Sequence, residues 1–213
     1  DIANMLTSPN NILAVEYIKA SHKYGGNVHL HSVERKPDDG KKYLSSTKIR
    51  ELMRAGNDIT PYVPQYVTID RPVSTDKYGT IATYAMKAMT AAQLADIYNV
   101  GEGLENRISQ ADFNDMRGFL ELTSKRYTRS TIKRIAACVT LGLDKRLAEL
   151  AATEKPYCTL LAVKPSKKKF ILPLLAEADG YFFYKHSDCG TDCPVRPLVD
   201  LDEKANKIQK LCL

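Results

Sequence analysis

The run Leu44-Ser45-Ser46-Thr47-Lys48-Ile49-Arg50 puts three hydroxyls and two cations where a polyphosphate can be held. Ser45 or Ser46 is a good N-cap, which leaves the unpaired N–H groups of the first helical turn pointing outward at the positive end of the helix dipole. The remaining hydroxyls and Arg50, one turn in, complete a phosphate-binding arrangement. An ordinary Ser/Thr cap with surface Lys and Arg explains the same residues, so this stretch alone does not decide between them. A second run, residues 125–134, carries five cations (Lys125, Arg126, Arg129, Lys133 and Arg134) and no acid, with Tyr127 among them. On a helix, Arg126, Arg129 and Lys133 share one face, and Ile132, Ile135, Ala136 and Val139 form the buried one. Cations interleaved with an aromatic ring suit RNA phosphates and stacked bases. A solvated helix face accounts for the pattern equally well.

Two weaker clusters remain. Residues 164–169 hold four lysines around Pro165-Ser166, either a second phosphate contact or a soluble loop. His186, Cys189 and Cys193 resemble a metal set, but zinc wants four ligands and only Cys212 lies near in sequence. Their spacing matches no strong zinc pattern, so they read as loop thiols with no metal.

The elements that must position these residues follow from periodicity. Residues 9–24 form a helix opened by Pro9-Asn10-Asn11 and closed by Gly25-Gly26. Residues 28–33 alternate in hydropathy between Gly and Pro, a strand pattern. Residues 34–42 form a charged loop around Pro37-Asp38-Asp39-Gly40. The Ser-Ser-Thr helix comes next, its stripe being Ile49, Leu52 and Met53. The order helix, strand, loop, helix is that of a nucleotide-binding α/β half-domain. Residues 57–80 are rich in Pro and polar residues and read as a connector. Beyond them the pattern turns helical: Ile81 to Ile97 as one helix or two, a break at Gly101-Glu102-Gly103, then stripes at Phe113–Leu120 and Ile132–Val139. Residues 157–163 and 181–184 read as strands, 167–178 as a helix despite Pro173, and 203–211 as a terminal helix.

Composition narrows the classes. The chain has 213 residues, 44% hydrophobic and 26% charged, which is globular rather than disordered. Its net charge of +6 fits an anionic partner. No apolar run approaches the roughly 20 residues that span a bilayer, so no membrane partner is expected. Five cysteines without a paired framework favour a reducing cytoplasm. The first residue is Asp1, which is expected of a processed chain or one cut from something longer.

Four motifs in order (Ser8-Pro9-Asn10-Asn11-Ile12-Leu13, Ser45-Ser46-Thr47-Lys48-Ile49-Arg50, Gly103-Leu104-Glu105-Asn106-Arg107-Ile108 and Lys125-Arg126-Tyr127-Thr128) make the chain resemble the bacterial tRNA(Met) cytidine acetate ligases, of the HIGH-type nucleotidyltransferase superfamily. The resemblance runs from about residue 5 to residue 185. It implies ATP as cofactor, with Mg2+ admissible, acetate activated as acetyl-adenylate, and acetylation of the wobble cytidine of elongator methionine tRNA. By the same resemblance, Asn10, Arg35, Ser45, Ser46, Thr47 and Arg50 line the ATP site. Lys125, Arg126, Tyr127, Arg129, Lys133 and Arg134 are the tRNA-binding candidates. The family's glycine-rich first loop and His-x-Gly-His motif do not occur here, and His29-Leu30-His31 is not that motif. The chain is therefore expected to be the C-terminal portion of such an enzyme, with no catalytic residue of its own and inactive alone.

The expected architecture is an α/β remnant of a Rossmann-like nucleotidyltransferase domain over residues 1–64. A mainly α-helical tRNA-binding domain with a small α+β C-terminal part follows over residues 65–213. A strand at 28–33 without neighbours would leave its backbone groups unpaired, so an N-terminal segment or self-association is expected to complete it. Two other classes fit the residues: a self-standing RNA-binding module with a vestigial nucleotide fold, and a nucleotidyltransferase acting on a small molecule.

Overall fold

A computed structural model of the chain describes residues 7–25, 29–33, 44–65 and 73–213. The chain divides into two units, residues 1–68 and residues 69–213.

In the first unit, α1 spans Pro9–Lys23 and α2 spans Ser46–Arg54. Proline at the first position of α1 suits a helix start, because its missing N–H would be unpaired there anyway. The capping position is Ser8, whose side chain makes no capping hydrogen bond, so Asn10 lies inside the first turn rather than at the cap. α1 buries none of its residues, and Ile12, Leu13, Tyr17 and Ile18 are exposed. α2 has Ser45 as N-cap, and its stripe of Ile49, Leu52 and Met53 is half-buried. The strand expected at 28–33 is not one over 29–33, where the chain is irregular and pairs with no strand among the described residues. Alternation alone cannot make a strand without a ladder partner. Val28 and the loop 34–42 lie outside the described residues.

The second unit is organised by α7, Arg129–Leu141. Before it come α3 (Thr75–Lys87), α4 (Ala91–Asp96), α5 (Leu104–Gln110) and α6 (Met116–Leu120). Thr128 caps α7 by accepting the Thr131 N–H at 3.3 Å. Gly142 ends it at φ +76°, a left-handed turn that glycine adopts without strain. Between these stops Ile132, Ile135, Ala136 and Val139 recur at i, i+3, i+4 and i+7 and are all at most 1% exposed. Around that stripe pack Ala82 and Met86 of α3, Leu94 of α4, Leu104 and Ile108 of α5, and Phe119 of α6.

The connector ends earlier than its composition suggests, because Ser74 caps α3 by accepting the Lys77 N–H at 3.2 Å. Two helices, not one, follow: Thr90 and Gln93 form a reciprocal capping box that starts α4. A helix that the apolar pattern left unmarked, α8 over Lys145–Thr153, is opened by Asp144, whose Oδ1 accepts the Leu147 N–H at 2.6 Å.

A smaller core follows. β1 (Tyr157–Thr159) and β2 (Tyr181–Phe183) pair in parallel, Tyr157 opposite Tyr181, with α9 (Lys168–Glu177) in the crossover. This first strand is shorter than the apolar run 157–163. The terminal helix α10 spans Arg196–Leu211, starting one to two turns before the expected 203 because Pro197 sits in its first turn. Val195, Leu198 and Val199 meet Leu147, Phe183 and Cys189 to form this core.

Polar pins tie the elements together. Lys204 Nζ donates to the Leu141 carbonyl at 2.7 Å, a cation on the C-terminal end of α7. Lys145 Nζ donates to the Ala95 carbonyl at 2.7 Å, beside an antiparallel bridge between Ile97 and Asp144. The Ser74 N–H donates to the Cys212 carbonyl at 2.7 Å, joining the start of α3 to the end of α10. His186, in a 3-10 turn at His186–Asp188, places Nε2 2.7 Å from Asp200 and 3.1 Å from Glu203. Arg196 Nε donates to the same Asp200 oxygen at 2.8 Å.

Two outcomes follow from this packing. Ile135→Ala removes a fully buried side chain from the α7 stripe and should cost about 2–5 kcal/mol in urea unfolding, whereas Ile12→Ala on exposed α1 should stay within about 0.5 kcal/mol. A similar cost for both would mean that α1 is buried in solution. Desolvation raises the Asp200 pKa, but hydrogen bonds from His186 and Arg196 outweigh it and leave the carboxyl below its ordinary value. A depressed native pKa adds stability above the unfolded value, about 3.9, which is lost as pH falls through the native value. The urea midpoint of Asp200→Asn should therefore decline less than that of the unaltered chain between about pH 6 and about pH 3. Parallel declines would remove Asp200 from the acid response.

Candidate nucleotide and RNA sites

The start of α2 is built as the hydroxyl pattern requires. Ser45 Oγ accepts the Lys48 N–H at 3.3 Å, which takes one of the four donors that a helix start leaves unpaired. Ser46 and Thr47 are exposed in the first turn, and no acid occupies it. Arg50 is exposed and has no side-chain partner among the described residues, while Lys48 is drawn off to Glu51 at 3.4 Å. Near the start of this helix the available cation among the described residues is thus Arg50, whose planar fork suits phosphate oxygens. Asn10 is exposed in the first turn of α1. Arg35 lies outside the described residues.

The basic segment is split by the Thr128 cap. Arg129, Lys133 and Arg134 are on α7 and exposed; Arg129 and Lys133, one turn apart, flank the buried stripe, and Arg134 lies opposite it. Lys125 and Arg126 precede the helix, so Arg126 does not share its face as the spacing suggested. A capping threonine has non-helical backbone and stops the helix there. Arg126 is instead ion-paired with Glu102, in the loop before α5. Tyr127 is half-buried, packs against the main core and donates its hydroxyl to the Gly101 carbonyl at 2.5 Å. Its ring therefore braces the loop that carries Glu102. The Lys164–Lys169 cluster straddles a 3-10 turn and the start of α9 and is exposed.

The electrostatics of α7 run against stability. Its first turn holds no acid and a cation, and two more cations come just before it, at the end where the helix dipole is positive. Arg129 and Lys133, one turn apart, add like-charge repulsion. A bound polyanion relieves both.

The thiols and histidine near the C-terminal unit's second core separate. Cys189 is buried and its pKa is raised, by burial first and by its neighbour Cys193 next. That is the behaviour of a packed thiol. His186 turns away from the cysteines to Asp200 and Glu203. Those three could hold a cation, a set that sequence spacing missed because two of its members lie on α10. Arg196 already neutralises Asp200 there. Among the described residues no helix is long and apolar enough to cross a membrane.

Known proteins resemble this chain along its length. The family model for the HIGH nucleotidyl transferase matches residues 1–213. The tRNA(Met) cytidine acetate ligase of Thermoanaerobacter sp. (strain X514) is 28% identical over 211 residues, covering 85% of this chain and 51% of that protein. The ligase of the same name from Mycoplasmopsis pulmonis is 33% identical over 145 residues, covering 63% of this chain and 47% of its own. Among solved structures, Thermotoga maritima TmcAL bound with alpha-thio ATP superimposes with a TM-score of 0.75 at 26% identity, covering 97% of this chain and 56% of that one. The chain spans about half the length of the relatives it matches. With a family model matched from its first residue to its last, the chain belongs to the HIGH nucleotidyl transferase family.

Proposed function

We propose that this chain is part of an ATP-dependent ligase that modifies RNA, specifically one that activates acetate as acetyl-adenylate and acetylates the wobble cytidine of elongator tRNA(Met). The observation that carries the RNA half is the exposed cation run at the acid-free start of α7, where fold stability would favour acids. In this reading Lys125, Arg129, Lys133 and Arg134 neutralise tRNA phosphates. Arg126 joins them by exchanging Glu102 for phosphate, and Tyr127 holds the loop. The start of α2 takes the nucleotide half: first-turn N–H groups, Ser46 and Thr47 face the phosphates, and Arg50 stabilises charge that develops as pyrophosphate leaves. Asn10 and Arg35 contact the remainder of ATP. Support comes from the relatives' activity and from the ATP analogue bound to the Thermotoga maritima structure. Acetyl transfer to an exocyclic amine through an adenylate needs no protein nucleophile, which fits a site made of donors and cations. Mg2+, if recruited, would shield the phosphate charge.

Replacing Arg129, Lys133 and Arg134 together with Ala should weaken binding of a tRNA transcript. It should also flatten the salt dependence by about 0.7–0.9 in log–log slope for each phosphate that is no longer neutralised. The variant should fold, since all three side chains are exposed. An unchanged slope would overturn the assignment. In an enzyme preparation that forms acetyl-adenylate, Arg50→Ala should slow pyrophosphate release by the equivalent of about 1.5–3 kcal/mol, and Arg35→Ala should behave alike. Normal rates in both variants would remove the two arginines from the ATP site.

A further inference from the structure

A cleft of about 530 Å³ opens between α3 and α6, apart from the cations of α7. Its floor is a close approach of the two helices at Gly79 and Met116, where a Cβ on residue 79 would lie 3.2 Å from Met116 Cγ. Glycine inside a helix weakens it, so its use here reflects the space it leaves. Thr83 lines this cleft, is 7% exposed, and its Oγ1 has no hydrogen-bond partner. A threonine in a helix ordinarily satisfies its hydroxyl on the carbonyl four residues back. Thr80, in the same cleft, does so with the Asp76 carbonyl at 3.1 Å, and Thr83 does not. A buried hydroxyl without a partner is costly, and Thr83 stands in the wall of a space that a polar ligand can fill.

The walls carry matching chemistry. The Tyr84 ring is 74% exposed, and Asp76, Asn114 and Arg117 make no side-chain hydrogen bond or ion pair among the described residues. A free aromatic face, a carboxylate acceptor, an amide and a guanidinium together suit a flat heterocycle that carries an amine and is attached to a phosphate. The unpaired carboxylate disfavours a simple anion, and the polar groups of the walls disfavour an apolar ligand.

We propose that this cleft receives one unstacked nucleotide of an RNA strand, its base bearing an exocyclic amine. Tyr84 stacks on the base, Asp76 accepts from the amine, Thr83 Oγ1 and Asn114 meet the base edge, and Arg117 takes the attached phosphate. The inference rests on the reading of the chain as an RNA binder but concerns a separate site, so the two can fail independently.

The test is fluorescence anisotropy of the full 213-residue chain with labelled hexaribonucleotides of cytidine, adenosine or uridine. Uracil has no exocyclic amine. The cytidine and adenosine strands should bind about tenfold more tightly than the uridine strand, the ratio expected of one charge-assisted hydrogen bond. Asp76→Ala should erase that preference, and Tyr84→Ala should weaken all three strands about five- to tenfold. Thr83→Val should weaken the cytidine and adenosine strands while leaving thermal stability equal or higher, since the hydroxyl it removes has no partner. Equal affinity for the three strands, or cleft variants that bind as the unaltered chain does, would overturn the proposal. If cleft variants change nothing while the Arg129, Lys133 and Arg134 substitutions lower all three affinities, the cleft fails and the basic segment stands. A base preference that survives substitution of the basic segment supports the cleft, and affinities that the same substitution leaves unchanged overturn the segment. No binding of any strand at low salt overturns both.

Discussion

Burial of one side of α7 is the constraint on which the second unit depends. Ile132, Ile135, Ala136 and Val139 are inaccessible, and side chains from α3 to α6 are arranged to keep them so. No single hydrogen bond in the unit rivals this, because each net hydrogen bond contributes only about 0.5–1.5 kcal/mol whereas a buried Ile contributes about 1.5–3. The polar pins set where elements end rather than whether they pack. Lys204 and Lys145 each place a cation on the carbonyl end of a neighbouring helix, where the field favours it.

The exposed surface of the same helix carries the cations of the proposed RNA site. A single run of thirteen residues has to be apolar every third or fourth position and cationic between, and α7 achieves both by strict periodicity. Its rigid anchoring would suit a phosphate-binding surface, since a backbone held on a packed helix loses little further freedom on binding. Arg126 is the exception: it lies outside the helix, held by Glu102 on a loop that Tyr127 braces. A pair of this kind keeps a long side chain extended near the basic face without leaving its charge unbalanced in the free protein.

Much of this was legible in the sequence wherever a local signal agreed with a long-range one. The α2 cap at Ser45 and the α7 stripe were both visible, because hydroxyl caps and apolar periodicity act over a few residues. The break at Thr128 was less visible: cations are compatible with a helix, and only the capping bond shows that Arg126 precedes it. Helix α8 escaped notice because of its nine residues only Leu147 is buried, too few to register as a stripe. The alternation at 29–33 misled for the opposite reason, being a local pattern with no ladder to join among the described residues. The His186, Asp200 and Glu203 grouping and the Thr83 cleft depend on separate elements meeting, which no spacing reveals.

The bond from the Ser74 N–H to the Cys212 carbonyl sets the start of α3 beside the end of α10, so the described helical unit has adjoining ends at residues 74 and 212. A unit with adjoining ends behaves as a cassette. It can be grafted into a surface loop of another protein with little distortion of its host, because both junctions leave from the same place. It can equally be reopened elsewhere, with a short bridge joining residues 74 and 212, and new ends cut at an exposed turn such as the one around Gly190. Recombination of such cassettes offers a physical route by which a basic helical module comes to be combined with different partner domains.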